Sequence, residues 1–146
     1  MNGGDASIRT DAAPAPVGAY PHARRVGELL FLSGIGPRQP GSDVIPGNRY
    51  DATGQLVACD IEPQCRQVFA NVRAVLQACG ARWEDLVDVT VFLTDMARDF
   101  DTFNRLYAEH FAGVDACRTT VEVNALPTPI SIELKCIALA PRPPAP

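Results

Sequence analysis

The amino-acid sequence predicts an α+β fold of two layers, in which two helices pack on one mixed β-sheet. Three observations lead to this prediction. Helical periodicity covers residues 61–79 and again about 99–111, while segments rich in Val, Ile, Thr and Phe flank and separate them. Neither an internal repeat nor a linker interrupts this order. We therefore expect one domain over residues 15–140, between a flexible tail of residues 1–14 and a proline-rich tail of residues 141–146.

A short hairpin is predicted near the start of the domain. Its strands are Arg25-Val26 and Leu29–Ser33, and the two residues Gly27-Glu28 form the turn between them. A segment rich in glycine and proline follows, from Gly34 to Gly54. Stretches of this length without regular structure are uncommon inside a compact domain and are often functional. The segment is therefore either part of a site or a surface excursion without a catalytic role.

The first helix is predicted over residues 61–79, where apolar residues recur at intervals of three and four. Asp60 is a suitable N-cap, and Gly80 is suited to stop the helix. Pro63 falls in the first turn, where a missing backbone donor is tolerated. The residues expected on the apolar face are Cys65, Val68, Phe69, Val72, Val75, Leu76 and Cys79.

A strand and a second helix come next. Residues Leu86–Thr94 have the composition of a strand, and their alternation assigns one face to Val87, Val89, Val91 and Leu93. The second helix is predicted from about Asp99 to Phe111. Its inward-facing residues are expected to be Phe100, Phe103, Tyr107 and Phe111.

Two strand-like segments close the domain, Cys117–Pro127 and Ser131–Ala138, joined by a short turn that contains Leu126–Pro129. The first segment carries Arg118, whose planar fork is suited to hold a carboxylate through two parallel hydrogen bonds. The second carries Glu133 among alternating apolar residues, where desolvation prepares a carboxyl group as an acid or base. From spacing alone, an ordinary ion pair between the two strands explains both residues at least as well.

Two motifs stand in these closing segments: Arg-Thr-Thr-Val-Glu-Val-x-x-Leu-Pro from Arg118 and Ile-Glu-Leu-x-x-Ile-Ala from Ile132. Together they resemble the C-terminal signature of the Rid family, the reactive intermediate (enamine/imine) deaminases, also called YjgF-like. Three further stretches agree with that family in order and spacing, namely Gly18–Tyr20, Leu30–Gly34 and Phe103–Tyr107. The resemblance spans nearly the whole chain.

Within this family, the chain is most similar to the 2-aminomuconate deaminase branch. The stretches that carry this similarity are Tyr20-Pro21-His22, Gly36-Pro37-Arg38-Gln39-Pro40 and Arg118-Thr119-Thr120. The housekeeping branch of the family usually has a cysteine at the position of Thr120.

The resemblance implies a fold similar to that of the small trimeric chorismate mutases and a homotrimer with sites in the clefts between subunits. A sheet face that the two helices leave uncovered would need such a partner. By position, Arg118 matches the arginine that grips the substrate's α-carboxylate, and Glu133 matches the glutamate proposed to activate the attacking water. Arg38 is one candidate to reach a second anionic group of the substrate, and Arg25 and His22 are the alternatives. The substrate-binding residues are expected to be Tyr20, Ser33, Gly34, Arg38, Asn104, Thr119 and Thr120.

Each assignment has a plainer alternative. Tyr20 and Asn104 are also suited to satisfy buried hydrogen bonds, a common role of such residues. Ser33-Gly34 is also suited simply to end a strand. Glu133 is equally suited to pair with Lys135, which lies two residues further along the same strand.

The activity implied by the resemblance is hydrolytic deamination of an enamine or imine without cofactor or metal. The substrate expected first is 2-aminomuconate, which would yield 4-oxalocrotonate (2-oxohex-3-enedioate) and ammonia in the degradation of aromatic compounds. Two alternatives stay open: a general deaminase of 2-imino acids such as 2-iminobutanoate and 2-iminopropanoate, and a non-catalytic trimer that binds small metabolites. A marked preference for dicarboxylic substrates separates the first activity from the second. A chorismate mutase activity has only similarity of fold in its favour.

Composition sets outer limits on these expectations. The chain has 146 residues, of which 47% are hydrophobic and 21% charged, as in ordinary globular domains. The net charge of −4 disfavours binding to nucleic acid. No apolar run approaches the ~20 residues that cross a bilayer. The N-terminus has neither the basic start nor the apolar stretch of a secretory signal, so we expect a cytoplasmic protein without membrane contact.

Neither a disulfide framework nor a metal site is expected. The five cysteines are odd in number, and none forms a Cys-x-x-Cys pair. Cys65 and Cys79 fall on the apolar face of the first helix, and nothing in the sequence favours the thiolate of Cys117. His22 and His110 lie far apart, without Asp, Glu or His at ligand spacing.

Overall fold

The computed structural model describes residues 5–146 and confirms the prediction of two helices on a mixed β-sheet. The helices are α1 (Ile61–Ala78) and α2 (Met96–Phe111). The strands are β1 (Ala6–Ile8), β2 (Ala23–Val26), β3 (Leu29–Leu32), β4 (Arg49–Tyr50), β5 (Leu56–Ala58), β6 (Leu86–Leu93), β7 (Cys117–Glu122) and β8 (Ile132–Leu139). One turn of 3-10 helix, Trp83–Asp85, precedes β6.

Six of the strands form the main sheet in the order β1-β2-β3-β8-β6-β7. All neighbours in this sheet are antiparallel except β6 and β7, which run parallel because the chain crosses over in α2 between them. Strands β4 and β5 form a separate two-stranded ribbon. Strand β6 thus lies between β7 and β8. These two strands correspond to the two closing segments predicted from the sequence, and although a short connection joins them in the chain, they do not pair with each other.

Local signals set the helix boundaries. Asp60 caps α1 by accepting a hydrogen bond from a first-turn amide (3.1 Å). The helix ends before Gly80, whose φ of +73° suits a residue without a Cβ. Helix α2 begins at Met96, earlier than the predicted start at Asp99. The reason is Asp95, which caps the helix by accepting from another first-turn amide (3.0 Å).

The core lies between the helices and the sheet. The predicted apolar face of α1 is buried apart from Cys79, which is half-buried, and alternate residues of β3, β6 and β8 pack against it. This packing of one helical stripe on one sheet face is what the two periodicities predicted. The largest fully buried apolar side chains are Phe69, Phe103, Leu30, Leu32, Leu76, Leu93, Leu106, Ile132 and Leu134.

Val87 departs from the predicted strand pattern. It is 39% exposed, whereas Leu86 is buried. The pairing of β6 with β8 shifts register between Leu86 and Asp88. An irregularity of this kind turns one residue out of the alternation, as in a β-bulge. The face predicted for this strand is therefore right only from Val89 onward.

The glycine- and proline-rich segment is partly regular. Ile35 forms an isolated bridge with Leu134 of β8, and β4 begins at Arg49 within the segment predicted to be irregular. The bridge attaches the start of the segment to the middle of the main sheet. The residues that follow Ile35 therefore leave the sheet from a defined point.

Part of the segment predicted as a flexible tail, residues 1–14, forms regular structure, and its flexibility stays a prediction. Residues 1–4 lie outside the described residues, but Ala6–Ile8 pair with β2 as an edge strand. Ala13 is buried in the core, where a methyl-sized side chain fits. Residues before 15 therefore contact the sheet and the core, and the predicted domain boundary at residue 15 stays a prediction. Residues 141–146 contain neither helix nor strand.

The sheet face opposite the helices, which we call the open face, is not covered by any element of the described chain. It carries apolar side chains of four strands, together with the charged residues of β8. The large apolar residues exposed on it are Val26, Leu29, Phe31, Val121 and Leu139.

Candidate active site

The residues predicted to form a site separate into two groups. One group surrounds Glu133 on the open face, and the other surrounds Arg118 on the face that the helices cover. The first, which we call the glutamate pocket, is lined by Val17, Tyr20, Gly34, Gly36, Arg38, Pro127, Thr128, Ile130 and Glu133. The second, which we call the arginine cluster, consists of Arg118, Phe103, Asn104, Tyr107 and Thr120.

The strand register explains why the two groups are separate. Arg118 pairs with Val89 of β6, and Glu133 pairs with Phe92 of the same strand. Val89 is buried beneath the helices, while Phe92 points to the opposite face. Because directly paired residues share a face, Arg118 and Glu133 of one chain lie on opposite sides of the sheet. The ion pair between them that the sequence allowed is therefore not formed within the described chain.

Glu133 forms no ion pair with any described residue, although Arg38 lines the same pocket. All ion pairs among the described residues involve other carboxylates. Lys135, the alternative partner, donates a hydrogen bond to the carbonyl of Leu32 instead. Burial raises the pKa of the Glu133 carboxyl, because the charged form loses hydration without gaining a counter-ion. The carboxylate is therefore a stronger base than an exposed glutamate.

Gly34 lies directly against this carboxylate. A Cβ added to Gly34 would be 3.0 Å from both Cδ and Oε2 of Glu133. The missing side chain therefore lets the backbone approach the carboxylate closely. β3 ends at Leu32, so Gly34 also lies beyond a strand end, and its role in substrate binding stays a prediction.

Tyr20 lines the glutamate pocket, whereas Ser33 does not. The Tyr20 hydroxyl accepts a hydrogen bond from the Val17 amide (3.2 Å). The Ser33 hydroxyl donates to the Pro21 carbonyl (2.7 Å). Ser33 lines an adjoining cavity beneath residues Ala13–Pro16. It therefore supports the segment that carries Tyr20, rather than facing Glu133.

Arg38 is among the residues that line the glutamate pocket. One nitrogen donates to the Ala15 carbonyl (2.6 Å), and another lies 4.0 Å from the exposed carboxylate of Asp43. An arginine carries five N–H donors in a planar fork. Donors therefore remain for a ligand, as the expectation of a second anionic group requires.

Arg118 is oriented by an amide and two aromatic rings of α2. Its Nη1 donates to Oδ1 of Asn104 (2.9 Å). Its Cζ lies 4.7 Å from the ring centre of Tyr107 and 5.4 Å from that of Phe103. Cation–π contacts of this kind hold a guanidinium without neutralising it. The ion pairs of the described residues involve other arginines, so the charge of Arg118 stays available.

The two threonines that follow Arg118 point to opposite faces. Thr120 shares the face of Arg118, and its Oγ1 is buried without a hydrogen-bond partner among the described residues. A buried hydroxyl in this state costs about 1–3 kcal/mol, which makes Thr120 a candidate for a ligand contact. Thr119 points to the open face, so its side chain is not part of the arginine cluster.

Two buried amides of α1 were missed by the sequence analysis. Asn71 donates to the carbonyls of Gly36 (2.9 Å) and Arg38 (2.8 Å). Gln64 accepts from the amide of Ser131 (2.8 Å). The two side chains hold segments on either side of the glutamate pocket. A signal was present, because both amides interrupt the apolar stripe of α1 at a spacing that places them on one helix face.

The described residues offer no cluster for a metal ion. Within residues 5–146, no three His, Cys, Asp or Glu side chains are grouped so that they could hold one. Neither of the helices in that range is long and apolar enough to cross a membrane. The chemistry that these residues supply is an oriented cation on one face and an unpaired carboxylate on the other.

The fold and the two groups of residues place the chain in a known class. The profile of the family described as Endoribonuclease L-PSP matches residues 10–140, and the chain belongs to this family. The Rid, or YjgF-like, proteins share this fold and sequence signature, and the predicted membership in the Rid family is confirmed. The 2-aminomuconate branch within it stays a prediction.

Individual relatives cover nearly the whole chain. A RutC family protein of Pyrococcus horikoshii is 40% identical over 131 residues, which are 90% of this chain and 94% of that protein. Reactive Intermediate Deaminase A, chloroplastic, of Arabidopsis thaliana is 37% identical over 131 residues, which are 90% of this chain and 64% of that protein.

Solved structures agree with this relationship. A Yersinia pestis protein of the conserved Rid family, YyfA, superposes with a TM-score of 0.78 at 35% identity, covering 94% of this chain and 100% of that one. Escherichia coli TdcF with bound serine has a TM-score of 0.78 at 31% identity, covering 93% of this chain and 99% of that one.

Proposed function

We propose that the protein is a hydrolytic deaminase that converts enamines or imines bearing a carboxylate into 2-oxo acids and ammonia without a cofactor. The observation that carries this proposal is that one carboxylate and one guanidinium are both held without an ion-pair partner. Glu133 is desolvated and unpaired in its pocket, and Arg118 is oriented without a carboxylate partner. A relative named as a reactive intermediate deaminase supports the same class of reaction.

In the proposed reaction, Arg118 binds the substrate's α-carboxylate through its planar fork. An enamine first tautomerises to its imine, whose carbon beside that carboxylate is electrophilic. Glu133 accepts a proton from water while the water oxygen bonds to this carbon and the imine nitrogen takes up a proton. Glu133 then transfers the hydroxyl proton of the resulting carbinolamine to its nitrogen, so that the C–N bond breaks with ammonia as the leaving group and a carbonyl is formed. One water is consumed, and one ammonia and one 2-oxo acid are released.

Positioning supplies much of the acceleration in this scheme. Bringing water, base and imine together contributes several kcal/mol, up to about 10 kcal/mol in well-oriented systems. Because the imine is already electrophilic, neither a metal nor a protein nucleophile is needed. Thr120 in place of a cysteine is therefore compatible with the reaction, and its unpaired hydroxyl offers a contact beside Arg118.

We further propose that each site forms between subunits of a homotrimer. Arg118 and Glu133 lie on opposite faces of the sheet in one chain, so both contact one substrate only where two copies meet. The open face offers an apolar surface for that contact, since Phe31, Leu29 and Leu139 are each at least one-third exposed. Three copies related by a cyclic axis would create three equivalent sites.

Among carboxylated imines, we place 2-aminomuconate first, with 4-oxalocrotonate as the product. Arg38 supports this choice, because it lines the pocket of Glu133 and its side chain donates only one hydrogen bond among the described residues, to the Ala15 carbonyl. Thr120 also agrees with the branch marker in the sequence. The cytoplasmic location expected from the sequence stays a prediction.

A general deaminase of small 2-imino acids is the second candidate. The related E. coli TdcF structure holds serine, an amino acid with a single carboxylate. In that case Arg38 would serve to hold the Ala15 carbonyl rather than a ligand.

A non-catalytic trimer that binds metabolites is a third candidate. It does not explain why Glu133 is kept without a charged partner. The family description also names an endoribonuclease, but a net charge of −4 disfavours RNA.

Ammonia release tests the proposal. Freshly generated 2-aminomuconate and 2-iminobutanoate are supplied to the protein under the same conditions, with Arg118→Ala as the blank. Rapid turnover of the dicarboxylate alone supports the 2-aminomuconate assignment. Turnover of both, with the smaller imine faster, supports the general deaminase instead. If neither substrate reacts faster than the blank, the deaminase proposal is wrong and metabolite binding takes its place.

Subunit mixing tests the shared site. Arg118→Ala and Glu133→Gln are each expected to be inactive as homo-oligomers. When equal amounts are unfolded together and refolded, random assembly restores about one quarter of wild-type activity, because that share of sites combines an intact Arg118 with an intact Glu133. A mixture as inactive as its components would show that both residues act from one chain.

A further inference from the structure

We infer that Asn71 is a positioning residue that presents Arg38 to the second carboxylate of the substrate. The inference rests on the proposed function, since it concerns the same pocket and a dicarboxylic ligand. It adds a residue that lies outside the pocket and belongs to a different element. Asn71 is 1% exposed on α1, and it acts through the backbone of the loop that carries Arg38.

The two hydrogen bonds of Asn71 hold both ends of a three-residue segment. Its Nδ2 donates to the carbonyl of Gly36 (2.9 Å) and to the carbonyl of Arg38 (2.8 Å). Pro37 lies between them, is buried and has a restricted φ. With both flanking carbonyls bound, the direction in which Arg38 leaves the backbone is set by α1.

The amide of Asn71 is itself oriented. Its Oδ1 accepts a hydrogen bond from Nε2 of Gln67 (2.9 Å), one turn earlier on the same helix. This contact leaves both Nδ2 hydrogens for the loop. All three polar contacts of the buried side chain are therefore used, and rotation of the amide would break every one of them.

The side chain of Arg38 receives its second fixed point from another segment. The Ala15 carbonyl accepts a hydrogen bond from one of its nitrogens (2.6 Å). Asn71 fixes the backbone of Arg38, and Ala15 fixes the guanidinium, so little freedom is left between them. Preorganisation of this kind lowers the entropy lost when a ligand is bound. Another nitrogen of Arg38 lies 4.0 Å from the exposed Asp43 carboxylate, and Arg38 is among the residues that line the pocket of Glu133.

Gln64 provides an internal comparison. It is a buried amide on the same face of α1, but its contacts go to the Ser131 amide (2.8 Å) and to Oδ1 of Asn48 (2.9 Å). It therefore holds the turn before β8 and the far end of the glycine- and proline-rich segment, and neither of its two contacts is with the carbonyls that Asn71 binds. If these amides only stabilise the fold, replacing either one should have the same functional consequence. If Asn71 presents Arg38, the two replacements should differ in substrate preference.

The test is a double-mutant cycle on substrate selectivity. Asn71→Leu, Arg38→Ala and the double variant are assayed with 2-aminomuconate and with 2-iminobutanoate. We expect each single variant to lower kcat/KM for the dicarboxylate about tenfold, through KM, and to change the monocarboxylate about twofold or less. The double variant should lose no more than Arg38→Ala alone, because Asn71 acts only through Arg38. Additive losses, or equal losses on both substrates, would overturn the inference.

Two controls separate presentation from stability. Gln64→Leu removes the comparison amide, and Val72→Ala opens a small cavity in the same helix. Both should lower the melting temperature and leave the ratio of kcat/KM for the two substrates unchanged. A changed ratio in either control would assign the effect to general loss of stability. Asn71→Ala replaces the leucine variant if the latter does not fold.

A binding experiment keeps this inference distinct from the proposed reaction. If the wild-type protein deaminates neither imine, the proposed function fails, and the same cycle is measured by calorimetry with muconate and crotonate. The role of Asn71 would still be supported if the wild-type protein binds muconate more tightly than crotonate and Asn71→Leu removes this preference. The double variant should then bind muconate no more weakly than Arg38→Ala alone. Equal binding of the two acids, or no binding of either, would overturn it.

Discussion

The guanidinium of Arg118 lies against two aromatic rings and an amide oxygen, whereas the carboxylate of Glu133 lies half-buried without a charged partner in the described chain. The first environment restricts orientation and keeps the charge available. The second removes water and raises the pKa. The comparison teaches that the surroundings of Arg118 suit the binding role proposed for it, whereas those of Glu133 suit the proposed transfer of protons.

The two groups of residues also differ in the elements that hold them in place. The arginine cluster is built on the helix-covered face, where α2 supplies every contact that orients Arg118. The glutamate pocket is built on the open face from loop segments, which α1 holds from behind through Asn71 and Gln64. A helix positions the side chains that contact Arg118 directly, whereas the loops around Glu133 are positioned by hydrogen bonds from buried side chains of another element.

Replacing Arg118 should have the largest effect. Arg118→Ala is expected to lower kcat/KM by about 10³-fold, because the charge-assisted contact to the substrate carboxylate is lost. Arg118→Lys keeps the charge but neither the fork nor the flat face over Tyr107, and should lose about 10²-fold. Steady-state kinetics with a carboxylated imine measures both. Wild-type activity in the lysine variant would show that charge alone is required.

Glu133→Gln should have the next largest effect, confined to turnover. The amide cannot accept the proton of water, so kcat is expected to fall by about 10²-fold. KM should change about twofold or less, since the carboxylate of the substrate is held elsewhere. Initial rates over a range of substrate concentrations separate the two constants. A raised KM with unchanged kcat would make Glu133 a binding residue instead.

Gly34→Ala tests whether the close approach of this residue to the Glu133 carboxylate matters for activity. The new methyl group would meet the Glu133 carboxylate at 3.0 Å and displace it. We expect kcat/KM to fall about tenfold with little change in melting temperature. Gly36→Ala is the control, because its Cβ would meet a methyl group of Ile130 at 2.9 Å instead. That variant should lose stability, and equal catalytic losses in both would argue against a specific role for Gly34.

The raised pKa of Glu133 also predicts how stability depends on pH. Between the ordinary pKa of a glutamate and the raised one, the folded protein binds more protons than the unfolded chain. The free energy of unfolding therefore falls as pH rises through this window. Glu133→Gln does not ionise, so it should be more stable than wild type at neutral pH and equal to it below the window.

Urea unfolding at a series of pH values measures this difference. A wild-type protein that is the more stable of the two at neutral pH would mean that Glu133 has a stabilising partner in the assembled protein.

The smallest effect is expected for Tyr107→Phe. The Tyr107 hydroxyl is buried without a partner in the described chain, and burial raises its pKa to about 12. Removing it leaves the ring beneath Arg118, so kcat/KM should stay within about twofold and stability should rise by up to ~1 kcal/mol. Tyr107→Leu, which removes the ring, should raise KM about threefold. Equal kinetics in the phenylalanine and leucine variants would show that the ring does not orient Arg118.

Helix α1 and the hairpin of β2 and β3 were predictable because their signals are local. Asp60 and Gly80 mark the ends of the helix, and the residues between them repeat at helical spacing. Gly27 supplies the positive φ (59°) that the hairpin turn requires. The start of α2 was predicted too late because its cap, Asp95, precedes the apolar periodicity.

The candidate site was predictable in residue type but not in arrangement. The motifs identified Arg118 and Glu133, and the structure places Tyr20 and Gly34 beside the latter. Asn71 was missed because its role depends on a loop far away in sequence, although an amide within an apolar stripe was visible. Such contacts cannot be read from local periodicity.

Local patterns alone were enough to specify two helices, most of the strands and membership in the Rid family. The tertiary structure decided the strand order, the exposure of Val87 and the separation of Arg118 from Glu133. The physical reason is that the direction of a side chain on a strand depends on its register with neighbouring strands. Strand β6 meets β7 and β8 from distant parts of the sequence, and its pairing with them assigns the two charges to opposite faces.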